Sequence, residues 1–135
     1  MIVYKVVREC YGEYESIKAG GTYRLGYDLD VWTKPKIGKV FVFDSVESAK
    51  KWCDLHSIYF SYAILECEGL YVTKLKTTRI ANIGIINTKD LKHYWRKAKK
   101  GKNVNPQSKK AEFVCWRIPE GTLVAGAIKP IRVID

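Results

Sequence analysis

Chemistry in this chain has few places to reside, and charge marks the most conspicuous of them. Residues 89–110, KDLKHYWRKAKKGKNVNPQSKK, hold nine Lys or Arg against one Asp, a net +8. The cations are Lys89, Lys92, Arg96, Lys97, Lys99, Lys100, Lys102, Lys109 and Lys110. Such a run is either a solvated helix face or a surface for polyanions and phosphate groups, because a one-sided positive field attracts both. Two carboxylate pairs also stand out. Glu66 and Glu68 would share a strand face, and Asp28 and Asp30 lie together in a loop. General acid–base work requires carboxyls in contrasting environments, and nothing in the spacing supplies that contrast, so solvated rim charge is the plainer role. His56 flanks an apolar helical stripe, where a rim or core histidine is the plainer reading. Glu112 heads an otherwise apolar segment, AEFVCWRI, directly after the basic run. Its plainer role is an ion pair with Lys109 or Lys110.

Other chemistry is not signalled. There is no P-loop, G-x-G-x-x-G, G-x-S-x-G or H-E-x-x-H pattern. Cys10, Cys53, Cys67 and Cys115 form no C-x-x-C pair and have no histidine at zinc-ligand spacing. They are expected to be buried reduced thiols in a cytoplasmic protein. No metal and no cofactor is expected from these residues, and no oligomeric state follows from them. No run of about 18 apolar residues occurs, and MIVYKVVRECYGE lacks the pattern of a signal peptide; no membrane association is expected.

The elements that must position these groups follow from periodicity. A chain of 135 residues with 47% apolar content fits one domain, 1–135, with a sizeable core. The charge is lopsided: residues 1–68 carry −1 and residues 69–135 carry +11, giving the total of +10. IVYKVVR (2–8) reads as a largely buried strand, with Val3, Lys5 and Val7 on one side. TYRLGY (22–27) reads as a second short strand, and 28–38, with Pro35 and Gly38, as a loop. KVFVF leads into a helix, with Asp44 as N-cap, Glu47 completing a capping box, and Val46, Ala49 and Cys53 as the apolar stripe. Residues 59–76 read as two strand-like runs around Gly69, and 78–87 as strand. Thr88 can cap a second helix through residue 100, on which Leu91, Tyr94, Trp95 and Ala98 form a docking seam while the lysines face water. Strand 111–118, turn 119–122 and a last strand 128–134, at an edge because Pro130 lacks a ladder donor, complete the chain. The expectation is an α+β domain, mainly an antiparallel sheet with two helices.

KKAEFVCWRIPEGTLVAGAIKPIRVI (109–134) resembles the C-terminal part of DNA-targeting ADP-ribosyltransferase toxins, in which an Ala-Glu-Phe-like triplet on a strand carries the catalytic glutamate. GKVFVFDSVESAKKW leading into YAILECEG is similar to the strand, capped helix and strand of ADP-ribosyltransferase-like folds. The resemblance implies NAD as cofactor and Glu112 as the catalytic group, stabilising an oxocarbenium-like transition state. It departs from the family on the first strand, where a histidine would hold NAD; here Tyr4 or Arg8 would take that place. The arrangement YKVV…VFVFDS-x-E-x-A…ILECE also resembles small proteins of phages and other viruses, which implies an accessory role in the host cytoplasm. Three functions therefore stand beside one another. The first is a module binding nucleic acid or a phosphate-bearing nucleotide through 89–110. The second is an ADP-ribosyltransferase-like enzyme, and the third an interaction protein that blocks a host partner.

Overall fold

The computed structural model describes residues 1–16, 25–56, 61–75, 79–81, 92, 95, 96, 99, 115–117 and 119–134. The β-branched run at the N-terminus forms β1 (Ile2–Cys10), which turns through Tyr11 and Gly12 into β2 (Glu13–Glu15). Both turn residues have positive φ, 51° and 80°, the geometry of a two-residue type I′ hairpin whose twist matches its strands. β3 (Val40–Phe43) leads into α1 (Val46–His56), followed by β4 (Tyr62–Leu70) and β5 (Thr73–Lys74). β6 (Arg79–Ala81) and β7 (Cys115–Arg117) precede the closing strands β8 (Thr122–Ala125) and β9 (Ala127–Ile134).

The main sheet is antiparallel and seven-stranded, in the order β5-β8-β3-β1-β4-β9 with β2 paired to β1. Alternation divides its side chains between two faces. Val3, Val7, Val42, Leu65, Cys67 and Ile128 lie in the larger core on one face, which Tyr27 closes from the segment after β2. Val6, Phe43 and Ile64 line the other face and receive Ala49, Trp52 and Cys53 of α1. The architecture is thus α+β and mostly strand, with one complete helix among the described residues. Of the predicted second helix, Lys92, Trp95, Arg96 and Lys99 are helical; the rest lies outside the described residues.

Several local expectations change. The N-cap is Ser45 rather than Asp44: Ser48 N–H donates to Ser45 Oγ at 3.1 Å. Asp44 instead spends its backbone N–H on Gly121 O, 2.9 Å away, because β3 runs one residue closer to the helix start than a cap at Asp44 requires. TYRLGY contributes no strand among its described residues; Gly26 makes a single bridge to Glu15, and Tyr27 is drawn into the core. The break expected at Gly69 falls at Tyr71, with φ 54°. Gly69 stays in β4 opposite Ile128, where a Cβ would come within 2.7 Å of Val72. β9 does lie at the end of the strand order, and the β4–β9 register shifts beside Pro130, at Glu66/Cys67.

β6 and β7 form a separate two-stranded antiparallel ribbon. Its facing pairs are Arg79 with Arg117, Ile80 with Trp116 and Ala81 with Cys115. In sequence, the ribbon brackets residues 82–114 and with them the whole basic stretch.

Candidate functional site

The basic stretch meets the sheet through Trp95. Its ring stacks on Phe41 of β3 with centroids 5.4 Å apart and planes at 27°, a favourable offset arrangement. Phe41 lies on the α1 side of the sheet by alternation from Phe43, so Trp95 shares that side with α1. The approach is close: Gly38 has φ +77°, and a Cβ there would run into the Trp95 ring. Glycine at 38 is therefore required twice, once by backbone conformation and once by space. Trp95 is half-buried, while Lys92, Arg96 and Lys99 are exposed. These three cations lie at i, i+4 and i+7, which places them along one side of a helical segment. Between Asp90 and Glu112 the sequence has no carboxylate to neutralise them.

Trp95 thus does what the docking seam predicts. Leu91, Tyr94 and Ala98 of that seam lie outside the described residues, as do Lys89, Lys97, Lys100, Lys102, Lys109, Lys110, Glu112 and His93. His56 ends α1.

The groups implied for NAD sit on β1. Tyr4 and Arg8 share a face by alternation but have separate surroundings. Tyr4 packs, partly buried, against the core under α1, facing Glu66 on β4 and Phe43 on β3. Arg8 faces Glu15 in the hairpin, and their side chains pair at 3.8 Å. The two carboxylates of β4 also have partners. Arg132 Nε and Nη2 donate to the two oxygens of Glu66 at 2.9 and 3.2 Å, and this bonding holds its carboxyl below the ordinary range. Lys129 pairs with Glu68 at 3.4 Å and lies over the Trp32 ring at 5.5 Å. Glu66 and Glu68 therefore form ion-pair rows across β4 and β9, the rim role that the sequence favours. Asp30 takes φ 62° and donates its N–H to Pro130 O at 2.7 Å, a loop role. Among the described residues no cluster of His, Cys, Asp or Glu could hold a metal ion.

Sequence reasoning missed a half-buried polar group on the larger core's side of β1. Lys5 lies between Val3 and Val7, and its Nζ donates to Phe41 O at 2.8 Å. β1 and β3 pair only at Tyr4 and Phe43, so the lysine reaches a carbonyl on the neighbouring strand away from that single pair. Desolvation lowers the Lys5 pKa to about 8, although the nearby Cys67 opposes the shift. The same burial pushes the Cys67 thiol and the Tyr27 hydroxyl up to about 12. Cys67 Sγ donates to Leu65 O at 3.5 Å. A lysine flanked by two valines on the same side of a strand was the available signal.

Cys10, Cys53 and Cys67 are free thiols, as expected, but only Cys67 is fully buried; Cys10 and Cys53 are half-buried. No helix among the described residues is long and apolar enough to cross a membrane. No protein-family model, curated protein or solved structure matches the chain.

Proposed function

We propose that this chain is a binding module that holds the phosphates of nucleic acid, or of a phosphate-bearing nucleotide, through residues 89–110. One observation carries the reading. Trp95 anchors the segment on Phe41, leaving Lys92, Arg96 and Lys99 exposed along one side. Like charges at helical neighbour spacing repel by a few tenths of a kcal/mol per pair. A face that served only solubility would intersperse glutamates. Lysines near a helix C-terminus complement its dipole, but that benefit is confined to the last turn and does not extend to Lys102, Lys109 and Lys110. Recognition here is electrostatic and tolerant of sequence, with the helical residues Lys92, Arg96 and Lys99 beside the Trp95 anchor as its described part.

The test is the triple substitution Lys92→Gln, Arg96→Gln, Lys99→Gln, titrated by fluorescence anisotropy with generic DNA and RNA oligonucleotides. Each lost phosphate contact flattens the plot of log affinity against log salt by about 0.7–0.9, so the triple variant is expected to lose about 2–3 units of slope. Affinity should fall alike for unrelated sequences. Stability should hold, because the Trp95 anchor is untouched. Unchanged affinity and slope would return the stretch to a solvated helix face.

A further inference from the structure

The glycine that admits Trp95 stands between two lysines. Gly38 belongs to the segment TKPKIGK (33–39), in which Lys36 and Lys39 are exposed. From Val31 to Phe43 the sequence has no Asp or Glu. A Cβ at Gly38 would fall on the Trp95 ring, so the indole lies against the backbone at that point. Lys39 directly precedes β3, and alternation from Phe43 and Phe41 puts it on the side where Trp95 stacks. The chain extends at most about 3.6 Å per residue, so the Lys36 backbone lies within about 7 Å of Gly38. Docking of Trp95 therefore gathers cations from two segments far apart in sequence: Lys36 and Lys39 on one, Lys92, Arg96 and Lys99 on the other. The ion pairs among the described residues engage Arg8, Lys51, Lys129 and Arg132, and none of these gathered cations.

The extent of this surface bears on the kind of anion it fits. At 1.5 Å per residue, Lys92 and Arg96 to Lys99 span about 10 Å along the helical segment. One strand of B-form DNA carries a phosphate every 3.4 Å of axis, so that span alone matches about three phosphates. Lys36 and Lys39 widen the surface sideways, across the Trp95 contact. A single phosphate group would meet a small part of it, whereas a backbone of regularly spaced charges meets the whole.

We propose that Lys36 and Lys39 complete the phosphate-binding surface begun by Lys92, Arg96 and Lys99, and that its ligand is a nucleic-acid backbone rather than a mononucleotide. This inference rests on the binding function proposed above. It assigns two contacts on a separate segment and chooses the polymer between the two phosphate ligands.

The experiment titrates Lys36→Gln, Lys39→Gln and the double variant with a generic single-stranded oligonucleotide across a salt series. Lys74→Gln is the control. Lys74 is exposed and aligns with Leu123 and Val42 on the opposite face of the sheet from Phe41. Each single variant should flatten the plot of log affinity against log salt by about 0.7–0.9, and the double variant by about 1.4–1.8. Lys74→Gln should leave the slope unchanged; a loss equal to that of Lys39→Gln would trace the effect to total charge and overturn the proposal. A nucleoside triphosphate should displace the oligonucleotide only at a concentration more than about tenfold that of unlabelled oligonucleotide, because it reaches fewer of the cations. Equal potency would overturn the choice of the polymer. An intact slope in the double variant, with a flattened one in the Lys92, Arg96 and Lys99 triple variant, refutes the composite surface and leaves the binding function standing. No wild-type binding at low salt refutes both.

Discussion

Substituting Lys5 by methionine should change how stability depends on pH, and the direction follows from where the ammonium sits. In the folded chain desolvation lowers its pKa from 10.5 to about 8. Below pH 8 both folded and unfolded chains are protonated there, and folding bears the full desolvation cost, about 3 kcal/mol for that shift. Between pH 8 and 10.5 the unfolded chain binds more protons at Lys5 than the folded chain does. Stability therefore rises with pH through this window, by up to about 1.4 kcal/mol per unit. Cys67 and Tyr27 act in the opposite sense. Their folded values near 12 exceed the ordinary 9.0 and 10.0, so the unfolded chain loses those protons first and stability falls above pH 9 and 10. The wild-type curve should accordingly rise from pH 8, level off near 9 and decline beyond 10. Urea unfolding followed by circular dichroism at half-unit steps from pH 7 to 10.5 gives the curve for each protein. Subtracting the Lys5→Met curve removes the titrations that the two share. The wild-type minus variant difference is expected to be flat below pH 8 and to rise by about 3 kcal/mol by pH 10.5. A difference that stays flat across the whole range would mean that the ammonium is solvated, and would refute the argument. At pH 7 the variant should be no less stable by more than about 1–3 kcal/mol, the cost of leaving Phe41 O without its donor.

Three further outcomes are expected. Ser45→Ala should cost about 1 kcal/mol in the same unfolding assay, because the N–H of Ser48 loses its acceptor, whereas Asp44→Ala should not remove a cap. In native protein a thiol reagent should modify Cys10 and Cys53 well before Cys67, whose buried thiol has a pKa near 12; in denaturant all four cysteines should react without prior reduction, and a count below four would indicate a disulfide. Trp95→Ala should destabilise by about 1–2 kcal/mol through loss of the half-buried ring and its stack on Phe41, and a variant as stable as wild type would show that the basic segment is not anchored there.

Much of the sheet could be read from local pattern. β1, β3, β4 and β9 are β-branched or apolar runs, and the stripe of Ala49 and Cys53 foretold the buried side of α1. What escaped depends on contacts between distant segments. β2 follows a turn in which tyrosine, not asparagine or glycine, takes the first positive φ, and β8 is a four-residue strand lying between Gly121 and Gly126. The cap at Ser45 rather than Asp44 depends on where β3 stops. Lys5 loses most of its water because its side chain reaches across to β3, a fact of strand packing invisible in IVYKVVR. The positive charge of 89–110 and the docking role of Trp95 were legible, since charge and helical spacing are sequence properties. The opposition of Arg79 and Arg117 was not, because register between strands so far apart in sequence is set only by folding.

The most direct test of the binding function is the salt dependence of wild-type affinity for generic oligonucleotides. With Lys92, Arg96 and Lys99 each meeting a phosphate, log affinity against log salt should fall with a slope steeper than about −2, nearly independent of base sequence. Absence of binding at low salt, or a slope near zero, would contradict it.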